Sequence, residues 1–95
     1  MERAANARRL AKELAAALRA EYGVRRVWLI GSLARGQFGL RSDIDLVAEG
    51  LPPARLFAAI ARVQKLAGDI EVDLAPLEDL RPPARAALER EGIAL

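Results

Sequence analysis

The stretch Gly31-Ser32-Leu33-Ala34-Arg35-Gly36-Gln37-Phe38-Gly39-Leu40-Arg41-Ser42-Asp43-Ile44-Asp45-Leu46 decides how this chain is read. Just before it, Val27-Trp28-Leu29-Ile30 is a short apolar run with β-branched and aromatic residues, the composition of a strand. Gly31-Ser32 ends that run, and Leu33-Ala34-Arg35 fits one short helical turn. Gly36 and Gly39 break any periodicity up to Arg41, so this part reads as a loop. Alternation then resumes and predicts a second strand over Asp43–Ala48. Residues two apart in a strand share a face, with Cα atoms about 6.5–7 Å apart. Ile44 and Leu46 therefore do the burying, and Asp43 and Asp45 point together to the other side. Two such carboxylates repel unless a cation joins them. Aspartate is also depleted in strands, so a pair on one face needs a reason.

Upstream, Leu10, Leu14 and Leu18 recur every four residues, flanked by Ala7, Ala11 and Ala17, which predicts an amphipathic helix that stops at Gly23. Downstream, Gly50 and Pro52-Pro53 punctuate the chain and place prolines at a helix start. Leu56, Ile60, Val63 and Leu66 give a second amphipathic helix over 54–67, ended by Gly68. Ile70-Glu71-Val72-Asp73-Leu74 alternates as a third strand, stopped by Pro76. A last helix is expected over Pro82–Glu91 with Ala84, Ala87 and Leu88 inward, and Ile93-Ala94-Leu95 adds a short extended end. The expectation is a single domain over 1–95 of α/β (α+β) class. It is a small mixed three-stranded sheet with helices packed on one face.

Composition narrows the chemistry. The chain has 95 residues and neither Cys nor His. That excludes disulfides, thiol nucleophiles, imidazole bases and ordinary zinc sites. Any resident metal must be held by oxygen ligands, which favours a hard cation. A net charge of +2 does not imply direct nucleic-acid binding. No stretch has the apolar length of a signal peptide or membrane span, so a cytoplasmic protein is expected.

The third strand carries Asp73 and Glu71 on the face opposite Ile70, Val72 and Leu74. If it neighbours the second strand, Asp73 can join Asp43 and Asp45 in a site for hard divalent cations. Two such ions held together are a recurrent device for nucleotidyl transfer. Gly31-Ser32 supplies the matching anion site, because a glycine at a strand end lets a phosphate approach backbone N–H groups and the Ser32 hydroxyl. Arg35 can add positive charge, and Ser42 lies directly before Asp43. Plainer roles compete: Ser32 as a helix N-cap, Glu71 as a solvated neighbour of Asp73, Arg41 as a surface charge, and Trp28 as core.

Gly31-Ser32, ten intervening residues and Asp43-Ile44-Asp45 resemble the G-S-x10-D-x-D signature of the polymerase-β-like nucleotidyltransferase superfamily. The string GSLARGQFGLRSDIDL is similar to its minimal nucleotidyltransferase (MNT) branch. The resemblance implies that Gly31 and Ser32 hold the nucleotide phosphates, with Arg35 and Ser42 beside them. Asp43 and Asp45 would ligate two Mg²⁺ ions, Mn²⁺ being the alternative. Asp73 would bind the catalytic ion and help deprotonate an attacking hydroxyl. It further implies transfer of AMP from ATP (or another NTP) to a hydroxyl, in an antitoxin that adenylylates a HEPN-type helical toxin partner. An antitoxin acting by complex formation alone and a transferase for small molecules are the other readings, and a homo-oligomer stays open. Leu33 departs from the pattern, since relatives often carry a polar or basic residue after the serine.

Overall fold

Helix α1 spans Glu2–Tyr22 and buries Ala7, Ala11, Leu14 and Leu18 of the expected stripe together with Ala15, whereas Leu10 and Ala17 of that stripe are half-buried. The computed structural model describes residues 2–36 and 44–95, without the side chains of residues 2–4 and 32. Strand β1 (Arg26–Ile30) leads into α2 (Gly31–Ala34), a single turn. Strand β2 (Ile44–Glu49) is followed by a 3-10 turn at Pro53–Arg55 and by α3 (Leu56–Ala67). Strand β3 (Val72–Pro76), α4 (Pro82–Glu91) and β4 (Ile93–Ala94) complete the chain.

The sheet is mixed, as expected, but it has four strands in the order β3-β2-β1-β4 rather than three. The extra strand is the short extended end: β4 pairs antiparallel with β1, Trp28 opposite Ala94, and Leu95 N–H donates to Val27 O at 2.8 Å. Without it, β1 would present a row of unpaired backbone groups, which a chain end of only a few residues can satisfy. β1 and β2 are antiparallel, whereas β2 and β3 are parallel. The third strand also starts later than its alternation suggests and runs through Pro76. Proline is tolerated there because β3 is an edge strand, where one ladder donor can be spared.

One continuous core joins α1 and α3 to a single face of the sheet. Val27, Leu29, Ile44, Leu46, Ala48, Val72 and Leu74 meet Leu14, Leu18, Ala59 and Val63, with Leu33 of α2 inserted beside them. Each fully buried Leu or Ile contributes about 1.5–3 kcal/mol from apolar area removed from water. The one-face arrangement thus holds for α1 and α3. By contrast, α4 adds nothing to this cluster and packs against β1 and α2. At their ends α1 and α3 are tied together by Tyr22, whose hydroxyl donates to Ala58 O at 3.2 Å under the Arg55 guanidinium, 4.3 Å from its ring.

Trp28, Ile30, Asp45, Val47, Glu49 and Asp73 alternate onto the second face. At its far end Arg26 donates twice to Glu49, at 2.7 and 3.3 Å. Those hydrogen bonds hold the Glu49 carboxyl below its ordinary value near 4.5. A lowered carboxyl contributes stability that is present above the ordinary value and is lost as pH falls through the folded one. Glu49→Gln is therefore expected to lower stability slightly at neutral pH, where the ionised carboxylate contributes, and to flatten the acid limb so that variant and wild type converge at low pH. Urea midpoints measured from pH 3 to 7 check this, and an unchanged acid limb would refute it.

Candidate active site

Asp45 and Asp73 are brought together by the parallel pairing of β2 and β3, where they are direct Cα partners. Both lie at the N-terminal ends of their strands, Asp45 half-buried and Asp73 exposed. Their apolar neighbours Ile44, Leu46, Val72 and Leu74 are fixed in the core on the opposite face, so neither aspartate can turn inward without exposing its strand's buried side.

On the other flank of β2, Ile30 is the Cα partner of Asp45, which delivers the strand–helix turn to the same place. Gly31 opens α2 with φ +81, a left-handed conformation that favours glycine. A Cβ there would collide with Asp45 Oδ2 and stand 3.3 Å from its Cγ. The glycine thus lets backbone and carboxylate meet, a requirement separate from the phosphate access expected from the sequence. The N-cap of α2 is Ile30, without a side-chain cap bond, and the Ser32 backbone lies inside the turn.

Arg35 ends α2, and its Nη1 donates to Glu91 Oε1 of α4 at 2.9 Å. The predicted phosphate cation is therefore engaged with a carboxylate, with its side chain still 45% exposed. Ser42 and Asp43 lie outside the described residues. Trp28 belongs to the second face rather than to the core cluster; it is half-buried, with the Arg26 guanidinium 5.2 Å from its ring. Arg8 gives no signal in the sequence: from α1, its Nη2 donates to Leu33 O at 3.1 Å and brings a second cation to the end of α2. Glu91 likewise gives no local signal, because it meets Arg35 only through the packing of α4 on α2.

A cavity of about 330 Å³ lies at the opposite ends of β2 and β3, lined by Gly50, Leu51, Pro52, Pro53, Leu56 and Pro76 among others. Among the described residues, no predicted site residue lines it.

The donor set fits a hard divalent cation. It is all oxygen, it pairs two carboxylates across a parallel register, and the glycine beside it leaves the space a Cβ would fill. Among the described residues no group of three or more such ligands gathers, so Asp45 and Asp73 stand as a pair.

Gly31 packed on the Asp45 carboxylate, with Asp73 in register on a parallel neighbour, is the part of the expected site that the described residues bring together. Residues 11–95 match the family model of the nucleotidyltransferase domain, and the chain belongs to that family. A solved structure described as a minimal nucleotidyltransferase superposes with a TM-score of 0.77 at 28% identity, covering 97% of this chain and 95% of its own. A toxin–antitoxin structure with AMP-PNP gives 0.76 at 19% identity, covering 88% and 70%. The MntA–HepT toxin–antitoxin complex gives 0.69 at 16% identity, covering 92% and 69%. No curated protein matches the sequence. Nucleotidyltransferases of this family generally work with divalent metals, in accord with the donor set. Among the described residues no helix is long and apolar enough to cross a membrane.

Proposed function

We propose that the protein transfers AMP from ATP to a hydroxyl of a HEPN-type helical partner, as the antitoxin of a toxin–antitoxin pair. The register of Asp45 on Asp73, with Gly31 closed against Asp45, is the observation that carries this reading. The likeness to toxin–antitoxin structures, one of them with AMP-PNP, supports the nucleotide and the partner class. Use of ATP fits a cytoplasmic setting.

Asp43, Asp45 and Asp73 would hold two Mg²⁺ ions, with Mn²⁺ as a substitute. When bound, these ions neutralise the triphosphate and polarise the reacting phosphate. Gly31 and Ser32 orient the β- and γ-phosphates, with Arg35 and Ser42 at the rim. Arg35 would exchange Glu91 for a phosphate oxygen. Asp73 accepts the proton of the acceptor's hydroxyl on a carboxylate oxygen as the hydroxyl oxygen bonds to the α-phosphorus. The bond from the α-phosphorus to the bridging oxygen breaks, and pyrophosphate leaves with the electron pair. Rate enhancement comes from positioning and charge neutralisation, so the absence of histidine is no obstacle.

The test is to co-express the chain with a HEPN-type partner, add ATP and Mg²⁺, and weigh the partner. An AMP-sized mass increase is expected with the wild type and not with Asp45→Asn. If the partner stays unmodified, the transfer reading fails. If Asp45→Asn also still neutralises it, inhibition by complex formation replaces transfer.

A further inference from the structure

We propose that Gln64 is a positioning residue for the nucleotidyl-transfer site: its side-chain amide takes the place of a neighbouring strand along the outer edge of β3 and so keeps Asp73 in register with Asp45. The inference rests on the reading of Asp73 as a metal-binding carboxylate and extends it to the residue that holds Asp73 there.

Among the described residues β3 is an edge strand, with a ladder partner on its inner side alone. On that side Ile44 N–H donates to Glu71 O at 2.9 Å. Backbone groups of alternate residues point to opposite edges, which leaves Ile70 and Val72 facing outward. Both are met by one side chain. Gln64 Nε2 donates to Ile70 O at 2.8 Å, and Gln64 Oε1 accepts from Val72 N–H at 3.1 Å. A carboxamide offers the same donor and acceptor that a neighbouring backbone would offer. The second Nε2 hydrogen reaches Gly68 O at 3.3 Å, and Gly68 N–H donates back to Gln64 O at 3.1 Å.

A residue that only terminated α3 would need no more than the Gly68 bonds. The bonds to Ile70 and Val72 lie beyond the helix, on the backbone directly before Asp73. Gln64 is itself anchored, because Val63 and Ala67 of the same helix are in the core. The edge therefore inherits the rigidity of α3. Without the amide, the start of β3 would have free backbone groups on one side and would open locally more often. Asp73 is the second residue of the strand, so its carboxylate would shift with any such opening.

The test compares wild type, Gln64→Met, Asp73→Asn and the double variant. Gln64→Met keeps the length of the side chain and removes all three of its hydrogen bonds. Mn²⁺ binding in the presence of a non-hydrolysable ATP analogue is read by electron paramagnetic resonance, well below the melting temperature. Hydrogen exchange of the Val72 and Asp73 amides is read in parallel by NMR. Gln64→Met is expected to weaken Mn²⁺ binding roughly tenfold, the usual scale for losing a group that orients a ligand. It should also speed exchange at both amides. Adding Gln64→Met to Asp73→Asn should weaken Mn²⁺ binding no further. Wild-type Mn²⁺ binding by Gln64→Met beside weakened binding by Asp73→Asn would overturn the proposal alone. Wild-type binding by Asp73→Asn would overturn the metal reading of the site and this proposal with it. Should Gln64→Met not fold, Gln64→Glu, which keeps the acceptor for Val72 N–H, carries the same comparison.

Discussion

Gly31→Ala is expected to lower nucleotidyl transfer by at least about a hundredfold, the scale on which a misplacement of about 1 Å acts at a reacting centre. Two effects combine. A non-glycine residue at φ +81 carries a left-handed strain of roughly 1–2 kcal/mol. The added methyl would also occupy the position of Asp45 Oδ2, so the carboxylate or the turn must move. Gly23→Ala separates the two effects. Gly23 has φ +69 at the end of α1, but nothing lies within 4 Å of a Cβ there. That variant should lose a similar amount of stability and keep its transfer rate. Melting temperatures and initial rates of AMP transfer, measured on both, check the pair of predictions. If Gly31→Ala is as active as Gly23→Ala, the close approach to Asp45 has no part in the reaction.

Asp73→Asn is expected to separate stability from activity in the opposite sense. Asp73 is exposed and stands directly across from Asp45, so two like charges face each other in register. Like charges at paired strand positions are destabilising, on a scale of about 0.2–1 kcal/mol. In metal-free buffer the variant should therefore be as stable as the wild type or slightly more so. The gain should shrink at high salt, where exposed charges are screened. Transfer should fall by roughly 10²–10⁴, the range for loss of a positioned proton acceptor, with a larger loss if metal binding goes too. Mg²⁺ should raise the melting temperature of the wild type more than that of the variant, since a ligand stabilises only the state that binds it. A variant that loses stability and activity together would mark Asp73 as a structural residue.

Much of this arrangement is legible in the order of the residues. The helices α1 and α3, the run Val27–Ile30 and the boundaries of α4 are local patterns with periods near 3.6 or 2, although in α3 the expected Leu66 is exposed and Ala59 and Ala67 are buried beside Val63. The carboxylates Asp45 and Asp73 stand out because each lies opposite apolar neighbours in an alternating strand. Less is visible where elements meet. The short extended end becomes β4 only because β1 has an edge to cover. Arg35 reads as a phosphate cation from its place after the serine, yet it is paired with Glu91, 56 residues away. Arg8 reaches Leu33 O across 25 residues. Gln64 looks like one more polar position on a helix, and its role depends on where the edge of β3 comes to lie.

The chain's own order of residues determines that a glycine and a serine follow a strand, that Asp45 and Asp73 each alternate with apolar residues in a strand, and that any metal here must be bound through oxygen. Those conclusions need only local geometry and a residue inventory. Only the tertiary structure decides that β2 and β3 run parallel with Asp45 opposite Asp73, and that Gly31 packs on the Asp45 carboxylate. Register between strands is set by the core that α1 and α3 bury against one face and by contacts between distant elements, and no periodicity in a single strand carries that information.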